Sequence, residues 1–248
     1  RSGDRAMPEE INRIVTDRIA DYLFVTEPSG VENLQKEGVA DDSIFFVGNL
    51  MIDSLVHFRE KAAQTSILDD LGVASGEYVL MTMHRPSNVD HEEGIDRLME
   101  LLEQLAARRP VVFPMHPRTR NRIDAFGRSD QLQAIDHLML LEPLGYLEFL
   151  RLMEKAAVVV TDSGGIQEET TFLGVPCLTL RDNTERPVTI TEGTNELLPL
   201  DPVRVIERVE VVTAHQWEPR RPTKWDGQAA SRIVEVIAES FQLFPRVK

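Results

Sequence analysis

Residues 156–169 read Ala-Ala-Val-Val-Val-Thr-Asp-Ser-Gly-Gly-Ile-Gln-Glu-Glu, and this stretch decides the fold. The apolar run Ala156–Val160 reads as a buried parallel strand, and the segment from Gly164 through Leu173 reads as a helix. Ser163-Gly164-Gly165 therefore sits at a strand-to-helix turn, with Ser163 at a favourable N-cap position. Two glycines let a ligand approach the backbone, and N–H groups at a helix start present partial positive charge. Such a turn suits a phosphate. Taken alone it fits an ordinary capped helix equally well. Glu168 and Glu169, further into the helix, could accept hydrogen bonds from ribose hydroxyls.

Working outward, the same alternation recurs. Strand-like runs are expected at Tyr22–Thr26, Ile44–Val47, Tyr78–Met83, Val111–Met115, His137–Leu141, Val158–Thr161 and Pro176–Leu180. Amphipathic helical patterns lie between them, such as Glu92–Ala107 with Ile95, Leu98, Met99, Leu102 and Leu105 on one face. Continuously apolar strands alternating with helices indicate an α/β fold with a doubly wound parallel sheet covered on both faces. Of the 248 residues, 42% are hydrophobic, enough for a real core. A net charge of −14 argues against a nucleic-acid backbone or an anionic membrane as partner. It leaves open a small phosphorylated ligand held by local arginines. The single Cys177 permits no internal disulfide and reads as a small buried residue. No apolar run is long enough to span a bilayer, and a soluble, cytoplasmic protein is expected.

Gly48-Asn49 marks an expected hinge. Residues 51–230 supply a complete α/β domain, whereas residues 1–50 supply two strands and two helices before the hinge. A two-stranded parallel sheet cannot cover its own faces and edges. The expectation is a chain forming the C-terminal portion of a longer one, in line with Arg1 at its start.

Several side chains stand where chemistry is usual. His84 follows the strand Tyr78–Met83 and His116 follows Val111–Met115, at the strand ends where open α/β sheets hold ligands. Glu9 and Arg13 are four residues apart on a helix begun by Pro8 and share a face. That spacing also suits a plain surface ion pair. Phe149, within Tyr146-Leu147-Glu148-Phe149-Leu150, fits helix packing.

The motifs Arg1-Ser2-Gly3-Asp4, Pro8–Arg13 (PEEINR), Val47-Gly48-Asn49, His84-Arg85, Asp162–Glu169 and Arg181–Pro187 (RDNTERP) occur in this order. Gly193-Thr194-Asn195 and Asp226-Gly227-Gln228-Ala229 follow. In order and spacing the chain resembles the non-hydrolysing UDP-N-acetylglucosamine 2-epimerases over nearly its whole length. The resemblance implies a GT-B-like fold of two Rossmann-like domains facing across a cleft. Residues 1–50 would be the end of the first domain, 51–230 the UDP-binding domain, and 231–248 a helix crossing back to the first.

It also implies inversion at C2 of UDP-N-acetylglucosamine, giving UDP-N-acetylmannosamine, with no organic cofactor and no metal. The route would be anti elimination of UDP to 2-acetamidoglucal followed by re-addition. Full-length members are expected to be homodimers serving cell-envelope polysaccharide biosynthesis. Carried onto this sequence, Glu9 and His84 become catalytic residues. Ser163, Gly164, Gly165 and Arg186 meet the diphosphate, Glu169 the ribose and Phe149 the uracil. Arg13 and His116 become further substrate contacts. Other family carboxylates would lie upstream of Arg1, so the 248 residues alone are expected to be inactive.

Two departures stand out. Many bacterial members continue His-Arg with Arg-Glu-Asn, a motif tied to allosteric binding of a second UDP-N-acetylglucosamine. Here Pro86-Ser87-Asn88 follows, which retains Arg85 and Asn88 as possible regulatory residues and alters the middle. Asn183 stands where Thr or Ser is usual. Three alternatives remain: a hydrolysing 2-epimerase, against which Thr184–Pro187 speaks; a GT-B glycosyltransferase using the same UDP cradle; and a UDP-binding fragment without catalysis.

Overall fold

The computed structural model describes residues 5, 8–214 and 221–243, the side chains of residues 241–243 excepted. The motif Arg1–Asp4 lies outside the described residues. These residues fall into two compact units: one takes those up to His57 and from Arg221 onward, the other those between Phe58 and Arg220.

The first unit begins with helix α1 (Pro8–Ile19), strand β1 (Leu23–Val25), helix α2 (Pro28–Lys36) and strand β2 (Ile44–Phe46). β1 and β2 pair in parallel, Leu23 opposite Ile44. Leu23, Val25 and Leu34 are its buried apolar centre. Helix α3 (Leu50–Ala63) follows and runs past the unit's end. The returning segment is fastened by polar contacts: Trp225 Nε1 donates to Thr26 O (3.0 Å), Lys224 Nζ to Phe46 O (2.6 Å) and Arg232 Nη1 to Val47 O (2.9 Å). Gly48 sits at φ 94, and a Cβ there would lie 2.1 Å from Lys224 O. Only glycine fits both the dihedral and the space.

The second unit contains α4 (Ile67–Leu71), β3 (Val79–Thr82), α5 (Pro86–Val89), α6 (Glu92–Ala106), β4 (Val111–Pro114), α7 (Pro117–Ala125) and α8 (Ser129–Gln133). It continues with β5 (Leu138–Leu141), α9 (Tyr146–Lys155), β6 (Val158–Thr161), α10 (Gly164–Leu173), β7 (Cys177–Leu180), α11 (Val188–Thr191), β8 (Asn195–Leu198) and α12 (Pro202–Thr213). The last helix of the chain, α13 (Ala229–Leu243), belongs to the first unit. Six parallel strands form one sheet in the order β5-β4-β3-β6-β7-β8. The four inner strands β4, β3, β6 and β7 are buried almost throughout, as their apolar runs require. On α6 the expected face Ile95, Leu98, Met99, Leu102 and Leu105 is buried against that sheet, each side chain contributing roughly 1.5–3 kcal/mol.

β8 was not among the expected strands. It is an edge strand whose residues 196–198 are only half-buried, and it opens on the polar pair Asn195-Glu196. The other expected strands are present, shortened by a residue or two at most. Reading the order outward from the centre, the chain runs one way from β3 and the other way from β6. The C-terminal ends of β3 and β6 therefore flank the topological switch point, where an open α/β sheet leaves a crevice.

Candidate active site

At that switch point the two strands are tied side chain to side chain. Thr82 Oγ1 and Thr161 Oγ1 are 2.7 Å apart. One residue beyond Thr161, Asp162 is fully buried. Its carboxylate accepts from the backbone N–H groups of His84 (3.0 and 3.1 Å) and Arg85 (2.8 Å), from Asn88 Nδ2 (3.2 Å) and from His84 Nδ1 (3.0 Å). Arg85 Nε donates to Asp162 O at 2.8 Å, and Asn88 Nδ2 also reaches Leu180 O at 3.1 Å. Burial pushes the Asp162 carboxyl up, but the bonds from His84 and Arg85 outweigh it and hold it below the usual carboxylate range. Arg85 and Asn88 thus both bind this hub. Asp162 was not singled out from the sequence, and burial together with these long-range donors reveals it.

His116 caps α7, its Nδ1 accepting from Arg118 N at 3.1 Å. Its ring lies 5.2 Å from that of His84, centroid to centroid. The structure therefore brings the two histidines together at adjacent strand ends.

The glycine turn opens α10 as expected, with Ser163 extended at the N-cap. The Ser163 hydroxyl makes no capping hydrogen bond, which corrects its expected capping role. Thr161 Oγ1 accepts from Ser163 N instead, at 3.0 Å. The first N–H groups of a helix have no intrahelical partners, so this end has the chemistry to receive an anion. Arg186 lies over the turn: a Cβ on Gly164 would stand 2.7 Å from Arg186 Nη1, and Gly165 has open space above it. Arg186 Nε is 2.9 Å from Glu168 Oε2 and Nη1 is 3.6 Å from Glu185 Oε2. Arg181, largely buried, pairs with Glu185 at 3.1 Å and reaches Asn183 Oδ1 at 3.3 Å. Burial raises the Glu185 carboxyl, but the Arg181 bonds win and leave it at about 2.

Gln167 links the two motifs. Its Oε1 accepts from Thr184 Oγ1 (2.7 Å) and Asn195 Nδ2 (3.1 Å), while its Nε2 donates to Ser163 O (3.1 Å). A buried, satisfied network of this kind holds a site rigid. Gln167 too escaped the sequence analysis, since its partners lie 17 and 28 residues away.

Glu169 is buried, and the Tyr146 hydroxyl donates to it at 3.0 Å. Tyr146 opens α9, is 39% exposed, and stands edge-on to Phe58 at 5.9 Å. Phe149, one turn on, is half-buried. Burial pushes the Glu169 carboxyl up to about 7; the Tyr146 bond lowers it and the neighbouring Glu168 charge raises it. A carboxyl raised above its unfolded value stabilises the fold below that value, and the benefit is lost as pH rises through the folded one. The window for Glu169 runs from about 4.5 to about 7. Glu169→Gln, which mimics the protonated form, should therefore match the parent's melting temperature near pH 5. Near pH 8 it should exceed it by a few degrees, the shift expected for about 1–3 kcal/mol. Melting curves at the two pH values check this, and an equal difference at both would refute it.

Glu9 and Arg13 lie on α1, in the first unit. Glu9 is exposed in the first helical turn. Arg13 is half-buried and pairs with the buried Glu10, Nη1 to Oε2 at 3.4 Å. Among the described residues no group of three or more His, Cys, Asp or Glu side chains could hold a metal ion, and no helix is long and apolar enough to cross a membrane.

Comparison with known proteins gives a consistent result. A UDP-N-acetylglucosamine 2-epimerase of Methanocaldococcus jannaschii is 38% identical over 242 residues, covering 96% of this chain and 66% of that protein. A UDP-2,3-diacetamido-2,3-dideoxy-D-glucuronate 2-epimerase of Pseudomonas aeruginosa is 36% identical over 243 residues, with the same coverage. The chain thus spans just under two thirds of the length of these curated relatives. The crystal structure of the M. jannaschii UDP-GlcNAc 2-epimerase in complex with UDP-GlcNAc and UDP matches with a TM-score of 0.82 at 37% identity, over 95% of this chain and 67% of that one. With such neighbours and two parallel sheets, the fold class is GT-B-like α/β. The sequence model described as UDP-N-acetylglucosamine 2-epimerase matches residues 1–238, and the chain belongs to that family.

Proposed function

We propose that this chain carries the UDP-binding site of an enzyme that inverts C2 of UDP-N-acetylglucosamine to give UDP-N-acetylmannosamine. The observation that supports it most is the Ser163–Gly165 turn at the start of α10, with the Arg186 guanidinium over Gly164. A departing diphosphate needs fixed donors at the place where its charge develops, and these groups are preorganised by the Gln167 network. Glu169 is the acceptor for the ribose hydroxyls, and Phe149 is the apolar side chain for uracil. His84 is a catalytic group at the phosphate end, and His116 is a further substrate contact. On α1, Glu9 is the acid/base group and Arg13 a substrate contact.

The chemistry is elimination of UDP across C1–C2 and its re-addition. A base removes the C2 proton as the C1–O bond breaks, leaving 2-acetamidoglucal and UDP. Re-addition restores the C1–O bond with a proton delivered to the opposite face of C2. Both relatives named above invert C2 of a UDP-linked 2-acetamido sugar, which fits this route. The test is titration with UDP, followed by product analysis with each of the two sugars. Expected are micromolar to millimolar UDP binding by the chain, the range usual for substrates, and a C2-inverted UDP-sugar from UDP-N-acetylglucosamine once it is extended to the full length of its relatives. Free N-acetylmannosamine with UDP would point to hydrolysis, a glycoside to sugar transfer, and UDP binding without product to a binding fragment.

A further inference from the structure

Asp162 brings a buried carboxylate into the crevice between β3 and β6, where it would be costly without replacement hydrogen bonds. Three of its donors, the N–H groups of His84 and Arg85 and the Asn88 amide, belong to the segment that follows β3 and fasten it to β6. The fourth, His84 Nδ1 at 3.0 Å, differs in kind. It donates only if it carries the hydrogen, because an ionised carboxylate has none to offer. Asp162 is held below the usual carboxylate range and is ionised at neutral pH. The hydrogen therefore resides on Nδ1.

Imidazole chemistry then restricts the other nitrogen. With Nδ1 protonated, the neutral ring offers Nε2 as an acceptor alone, and only the imidazolium donates from both nitrogens. A diphosphate oxygen presents lone pairs. For the neutral ring to hydrogen-bond it through Nε2, it must take a proton from solvent.

We propose that Asp162 is a positioning residue that fixes the His84 tautomer, so that Nε2 engages the nucleotide diphosphate as an imidazolium and UDP binding takes up a proton. The inference rests on the phosphate assignment of the Ser163–Gly165 turn. The charged and titratable neighbours divide clearly. From β6, Asp162 favours the cation. From His84's own segment, Arg85 opposes it. His116, between β4 and α7, lies tilted beside His84 but accepts from Arg118 N at Nδ1, so it keeps that cap bond only as the neutral ring. Glu169 contributes a proton change of its own through its ribose contact. That change is common to the parent and to variants at 84 and 162, and it cancels between them.

Two measurements test this. Long-range 15N–1H spectra of the nucleotide-free protein near pH 7.5 should show a neutral His84 ring with its hydrogen on Nδ1; an Nε2–H tautomer, or a ring already protonated on both nitrogens, would overturn the proposal without any ligand. Calorimetric titration with UDP near pH 7.5, in buffers of different ionisation enthalpy, then counts protons. The parent should take up more than either His84→Gln or Asp162→Asn, by up to about one proton, the capacity of a single imidazole. Asp162→Asn should also weaken UDP binding by about tenfold or more, as for a lost charge-assisted hydrogen bond. UDP binding with equal proton uptake in all three proteins overturns the proposal and leaves the phosphate assignment standing, whereas absence of UDP binding to the parent overturns both. Should Asp162→Asn fail to fold, the parent spectrum and the His84→Gln comparison decide between the same outcomes.

Discussion

Arg186→Ala should weaken UDP binding by about 10- to 100-fold, the worth of hydrogen bonds from a fixed cation to phosphate. The guanidinium fork is suited to two phosphate oxygens at once, and here it is held in place before any ligand arrives. Glu168 lies 2.9 Å from its Nε and Glu185 lies 3.6 Å from Nη1. Gly164 leaves the space it occupies, since a Cβ there would come within 2.7 Å of Nη1. Gly164→Ala should therefore weaken UDP by a separate route, pushing the guanidinium off the turn while its charge stays. Losing Arg186 also strips a cation from the buried Glu168, whereas Glu185 keeps Arg181 at 3.1 Å. A drop in stability of about 1–3 kcal/mol is expected from the loss of that buried ion pair. Adding Glu168→Gln should restore the melting temperature and leave UDP affinity low. Calorimetry and thermal melts on the three proteins separate the two effects. UDP affinity within twofold of the parent in Arg186→Ala would remove the basis of the phosphate assignment.

The parts of this molecule that could be read from sequence are those where one local rule dominates. Val158–Thr161 and Val111–Pro114 are buried on both faces, so their composition alone announces inner strands. The α6 face follows from the spacing of its leucines. β8 obeys no such rule: it is short, carries Glu196 paired outward to Arg208 at 2.7 Å, and is specified by its pairing to β7. The same division holds in the site. His84, His116 and the glycine turn were legible because strand ends mark where a parallel sheet opens. Asp162 and Gln167 were not, because each acquires its meaning from donors and acceptors distant along the chain. Ser163 shows the converse limit: position named it a cap, yet Thr161 supplies the hydroxyl that its backbone N–H uses. Tyr146 is a further case. Nothing in Tyr146–Leu150 announces that its hydroxyl meets a carboxyl 23 residues on.

In the protein extended to the full length of its relatives, Glu9→Gln should leave the fold and UDP affinity intact and lower the rate of epimerisation by at least about a hundredfold, the usual share of a general acid–base group. On the proposed assignment the adjacent glutamates on α1 divide two duties. Glu10 is buried and bonded to Arg13 at 3.4 Å, so Glu10→Gln should act on stability. Glu9 is exposed in the first turn behind Pro8, so its carboxylate is open to solvent. Arg13, one turn on, shares that side of the helix. Elimination and re-addition make a second demand that substitution alone cannot test. The C2 hydrogen leaves as a proton, and the hydrogen that returns on the opposite face comes from a group in exchange with solvent. Product formed in deuterium oxide should therefore carry deuterium at C2, and UDP-N-acetylglucosamine recovered at equilibrium should carry it as well. Slow turnover by Glu9→Gln, still with deuterium at C2, would show that a second group can move the proton. Product without deuterium in the parent enzyme would exclude elimination and require a route in which the C2 hydrogen never leaves the sugar.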